Sequence, residues 1–116
     1  SHTGKALDAK NEAYRVFVLV KKDIRASSGY TISSDNSSLR INSPGGSIEY
    51  YLNKNRMIRK TASGEQILSK QAFNDLIWAK DKNTLTVCLS VPYKGYGKTR
   101  HNPIRIMENI QTGGAR

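Results

Sequence analysis

The sequence predicts an α+β fold, a long N-terminal α-helix packed on an antiparallel β-sheet of about seven short strands. Three observations point there. Residues 5–26, KALDAKNEAYRVFVLVKKDIRA, keep a helical period with no Gly or Pro to interrupt it. After Gly29 the pattern changes to short alternating runs. Those runs are separated by the turn formers Asp35-Asn36, Pro44-Gly45-Gly46, Asn53-Lys54-Asn55 and Asp81-Lys82-Asn83, which read as tight hairpins.

Wound at 100° per residue, Ala6, Ala9, Ala13, Val16, Phe17, Val20 and Ile24 form a stripe roughly 100° wide. Asp8, Glu12, Arg15, Lys22 and Asp23 take the opposite side, and Leu19 falls among them. Leu7, Tyr14 and Val18 make a second, off-axis apolar line. Ser27-Ser28-Gly29 supplies the stop, and the helix would reach roughly 33 Å. The stripe is lopsided, with only alanines in its first half. Because buried area drives packing, the helix is expected to sit on its domain with the C-terminal half and to project with the other.

The strands follow in order. Tyr30–Ser33 is the first, Leu39 to Ile41 the second, Ile48-Tyr50-Leu52 the third and Met57–Lys60 the fourth. Glu65 to Ser69 fits either a strand or a helical turn. Phe73 to Ala79 reads as a strand from its aromatics. Thr84 to Val91 is the clearest, with Leu85, Val87, Leu89 and Val91 on one face. Ile104 and Ile106 begin the last strand. The expected division is 1–4 as a purification-tag remnant and chain start, then one domain over 5–116. Within it, 5–26 is helix, 27–110 sheet and 111–116 a loose tail.

Nineteen Lys and Arg against nine Asp and Glu give a net charge of +10, which favours polyanionic surroundings without choosing among them. No run approaches the ~18 apolar residues that span a bilayer. The single cysteine, Cys88, excludes an internal disulfide. Gly95-Tyr96-Gly97-Lys98-Thr99 imitates a phosphate-binding loop but has Pro92 where the motif needs glycine. Two histidines, His2 and His101, and no paired carboxylates leave no acid–base constellation. The expectation is therefore a non-enzyme without cofactor or metal.

The basic residues cluster in two places. Between Lys82 and Met107 lie Lys82, Lys94, Lys98, Arg100 and Arg105 with no acid, interleaved with Tyr93, Tyr96 and His101. Cations beside rings suit a nucleic-acid contact, so Lys94, Tyr96, Lys98, Arg100 and His101 are the candidates for a weak, non-specific DNA or polyanion site. Lys54, Arg56, Arg59 and Lys60 form the second cluster. A solvated, charged hairpin surface is the plainer reading of these residues. A small basic nucleic-acid-binding module is the alternative reading of the whole chain.

A helix ending Lys22-Asp23-Ile24-Arg25, then a short strand, then Ile48-Glu49-Tyr50-Tyr51-Leu52, Arg56-Met57-Ile58-Arg59-Lys60 and Ile67-Leu68 follow one another in an ordered series. This series resembles the soluble part of minor pilins and pseudopilins: the J class of type II secretion, the PilW-like minor pilins and the competence pseudopilin ComGF. The resemblance runs over about residues 13–91 and leaves out the loop from Tyr93 and the last strand. It implies a type IV pilin-like fold and a non-catalytic subunit that initiates, caps or joins a type IV pilus, type II secretion or DNA-uptake filament. It further implies an extracytoplasmic place, at the cell surface or in the periplasm. A processed apolar segment ahead of Thr3 would anchor the chain in the inner or cytoplasmic membrane. The partners would be other major and minor pilins or pseudopilins, met through the helix, with Ala6, Leu7, Ala9, Ala13 and Leu19 as the filament-assembly face. The isolated domain should then be a monomer.

Overall fold

The computed structural model describes residues 2–91 and 104–112, with side chains over 8–91 and 105–112. Helix α1 spans His2–Arg25. Among the described residues eight strands follow: β1 Gly29–Ile32, β2 Leu39–Ser43, β3 Gly46–Asn53, β4 Arg56–Thr61, β5 Gly64–Ile67, β6 Asp75–Asp81, β7 Thr84–Val91 and β8 Ile104–Gln111. The expected single sheet of about seven strands under a long helix is overturned. The chain is mostly β, and its strands form two antiparallel sheets, β1-β2-β3-β4-β5 and β6-β7-β8.

The break between the sheets lies at residues 68–74. Here the backbone leaves the strand ladder yet still satisfies its polar groups. The Leu68 N–H donates to the Met57 carbonyl, the Phe73 N–H to that of Asn55, and the Asn74 N–H to that of Ser90. The buried Ser69 hydroxyl takes the Met57 N–H and donates to the Gln71 carbonyl. The segment thus follows β4 back along its flank before β6 begins. Phe73, expected in a strand, is instead a fully buried plug in this crossing. The ambiguous run from Glu65 resolves as the short edge strand β5, exposed along its length.

Turn chemistry explains the hairpins. Lys54 and Asn55 both take positive φ, 52° and 65°, as a two-residue loop with the twist of its strands requires. Asn36, at φ 63°, has a second task. Its carbonyl accepts the Trp78 N–H and its side-chain amide donates to the Trp78 carbonyl, so the β1–β2 turn ties the edge of β6 to the larger sheet.

One core serves both sheets and the helix. Val16, Phe17 and Val20 meet Leu39, Ile41 and Tyr50 from the larger sheet, and Trp78, Leu85, Val87 and Leu89 from the smaller. The helix packs against β2 on one side and against β7 and β8 on the other. Lying between two sheets, it buries a wider arc than one flat sheet would cover. Ala9 and Ala13 are fully buried, so the expected projection of the alanine half is corrected over this stretch: small side chains let the helix approach the sheets closely. Glu12, expected in solvent, is also buried, and Asp23 and Leu19 are half-buried.

Candidate assembly surface

Three anchors hold the helix in its groove and decide which face remains outside. The first joins residues far apart in the chain. Arg59, from β4, donates through Nε and Nη2 to the two Asp23 carboxylate oxygens, each at 3.0 Å. The Tyr50 hydroxyl, from the neighbouring β3, donates to the same carboxylate. Tyr50 and Arg59 are register partners on the inner face of the sheet, which is why both reach the last turns of the helix. Burial, reinforced by the Asp23 carboxylate, pushes the Tyr50 hydroxyl above its ordinary pKa. The Asp23 hydrogen bond likewise raises the Arg59 guanidinium. These are charge-assisted bonds with the bidentate fork that arginine alone supplies.

The second anchor is Glu12. Its carboxylate accepts the backbone N–H groups of Lys70 and Gln71 at 2.9–3.1 Å, and so fastens the crossing segment to the helix. The third is Lys21, whose ammonium pairs with Glu108 on β8. Each anchor turns a charged helix residue toward the body of the protein.

What remains outside is apolar and basic. Tyr14 is 42% exposed and Val18 62%. One turn apart, they stand about 40° from each other around the axis. The Tyr14 ring meets Phe17 edge-on at 6.0 Å, and the Lys10 ammonium lies over it at 6.0 Å. Lys10, Arg15, Lys22 and Arg25 are exposed around the pair.

The exposed face of the helix is not the one expected from the sequence as an assembly face. Ala9 and Ala13 are core residues and cannot meet a neighbour. Leu19 packs against the core. Ala6 and Leu7 lie on the helix, with their side chains outside the described set. In the sequence the exposed face is marked by Tyr14 and Val18 of the second, off-axis apolar line, while Ala9 and Ala13 of the alanine stripe pack inward.

The polyanion candidates fare unequally. Lys94, Tyr96, Lys98, Arg100 and His101 lie outside the described residues. The cluster around the third hairpin is dispersed. Arg59 is committed to Asp23, and Lys60 sits between Glu49 and Glu65 in register. With Arg40 paired to Glu49 at 3.5 Å, the outer face of the larger sheet carries a ladder of alternating sign, Arg40–Glu49–Lys60–Glu65. Beside it Tyr51 reaches across β4 to donate to Glu65, which pushes its hydroxyl up to about 12. Among the described residues no group of three or more His, Cys, Asp or Glu is placed to hold a metal, and no helix is long and apolar enough to cross a membrane. Comparison of the chain with protein-family models, curated proteins and solved structures finds no match.

Proposed function

We propose that this chain is a non-catalytic structural subunit of a pilus-like filament, a minor pilin or pseudopilin that joins its neighbours through helix α1. The observation that carries the reading is the uncovered line of Tyr14 and Val18 on a helix otherwise fastened on both sides. Exposed apolar residues scattered singly need no explanation. Two of them stacked at one-turn spacing, on a helix held to the body by three charged anchors, form an apolar ridge. A ridge of this kind suits helix-on-helix packing, where such residues seat in the grooves of a partner.

The resemblance supports the same reading from another side. Asp23, Tyr50 and Arg59 stand in three separate pieces of the motif series, and they converge in one hydrogen-bonded cluster that sets the helix on the sheet. Their ordered spacing thus has a physical purpose, which is to orient the helix. The subunit would stand outside the cytoplasmic membrane and take its place at the start, tip or joints of a filament of the pilus, secretion or DNA-uptake kind.

The test is incorporation. Val18→Asp in the full-length gene product is expected to leave thermal unfolding of the domain unchanged, since Val18 is on the surface, while reducing recovery of the subunit in sheared or purified filaments. Normal incorporation of Val18→Asp together with Tyr14→Ser would refute the assembly role.

A further inference from the structure

We infer that the helix surface docks a partner helix of acidic character, one whose apolar line is flanked by carboxylates. This rests on the assembly reading and names the chemistry of the partner. It follows from where the structure puts the charges. In sequence, the acids of helix α1, Asp8, Glu12 and Asp23, are interspersed among six Lys and Arg, so the angle of each residue alone leaves both signs beside one another. The fold separates them. The Glu12 carboxylate is spent on the backbone N–H groups of Lys70 and Gln71, and that of Asp23 on Arg59 and Tyr50. Beyond Asp8, the exposed positions therefore include Lys10, Arg15, Lys22 and Arg25 and no carboxylate.

Among the described residues none of these four cations has an ion-pair partner, while Lys21, the neighbouring lysine, is already satisfied by Glu108. The apolar centre, Tyr14 and Val18, is thus bordered by positive charge along about four turns. A second copy of this chain would bring the same cations to the contact, and like charges facing each other oppose such pairing. A partner with carboxylates beside its apolar line would neutralise the rim, speed encounter through its field and set the register of the two helices.

The probe is a synthetic helical peptide of about 20 residues, a length at which helicity is sustained, with a leucine line flanked by glutamates. A matched peptide carries serines in their place. Fluorescence anisotropy with the intact domain is expected to show binding of the glutamate peptide at least about tenfold tighter than the serine peptide, weakening as salt shortens the screening length. A Lys10, Arg15, Lys22, Arg25 to Ser variant should lose that preference, and Val18→Asp should weaken both peptides. Equal binding of the two peptides overturns the inference, as does an unchanged preference in the quadruple variant. Loss of the preference to vesicles containing phosphatidylglycerol, bound more tightly than either peptide through the same four residues, would assign the face to a lipid surface and also overturn it. Failure here with Val18-dependent filament incorporation intact would leave the assembly role standing with a partner of other chemistry. Normal incorporation of the Tyr14 and Val18 variants would remove that role itself.

Discussion

The Asp23–Arg59–Tyr50 anchor admits a quantitative test. The Asp23 side chain is 11% exposed and that of Arg59 23%, so the pair is screened by water only in part. Truncating Arg59 to alanine leaves a largely buried carboxylate with a single neutral donor, Tyr50. Breaking a fully buried pair costs about 3–5 kcal/mol; the residual exposure lowers this, and about 2–4 kcal/mol is expected. Asp23→Ala should cost a similar amount, because it leaves the guanidinium without its counter-ion and the Tyr50 hydroxyl without its acceptor, with only the bond from Arg59 Nε to the Tyr50 oxygen remaining. Once either partner is gone, removing the other should matter much less, so the double-mutant cycle should give a coupling of about 1–3 kcal/mol. Arg59→Lys should not restore stability, since an ammonium cannot reproduce the two parallel bonds. Urea unfolding followed by far-UV circular dichroism at fixed pH supplies the free energies. A coupling below about 0.5 kcal/mol would refute the claim that this cluster seats the helix, because additivity within that margin is what independent sites show.

Other outcomes follow from the same geometry. Ala9→Glu is expected to unfold or severely destabilise the domain, by about 3 kcal/mol or more, because the site is fully buried and has no room or partner for a carboxylate; thermal melting checks it, and a wild-type melting temperature would restore alanine 9 to the surface. Tyr50 makes a pH test: its folded pKa is raised by burial, so at pH above about 10 the unfolded chain releases a proton that the folded one keeps, and stability should fall as pH rises through that range. Tyr50→Phe should flatten that alkaline slope, as read from denaturation midpoints compared between the two proteins. Asp35 is the opposite case. Hydrogen bonds from the Ser37 and Ser33 hydroxyls hold its carboxyl down at about 2, so its contribution is present above pH 3.8 and disappears as pH falls through 2; carboxyl-carbon NMR titration should find Asp35 titrating near 2, and a midpoint at the ordinary aspartate value would refute the hydrogen-bonded turn.

Strand positions and turns were legible in the sequence because their signals are local. A period of two with side chains large enough to pack picked out β7, and paired turn residues such as Lys54-Asn55 marked where a hairpin closes. The helix was legible for the same reason, including the line of Tyr14 and Val18 that turns out to be its open face. How many sheets the strands make was not. That depends on residues 68–74, whose mixed run, LSKQAFN, gives no hint that its backbone will bond to Met57 and Asn55 and so end one ladder before another starts. Nor could periodicity say how wide an arc the helix buries, which is set by a second sheet on its other flank. Glu12 and Asp23 show the consequence most clearly. By their charge they read as solvent-facing acids, although on a helical wheel they stand only about 40° and 20° from Val16, at the edge of the apolar stripe. Their partners, Lys70, Gln71, Tyr50 and Arg59, come from remote stretches, and only the folded chain brings those donors within 3.1 Å. The sign of charge left on the outer face is thus a tertiary property: it is decided by which carboxylates find buried donors, and long-range contacts alone determine that.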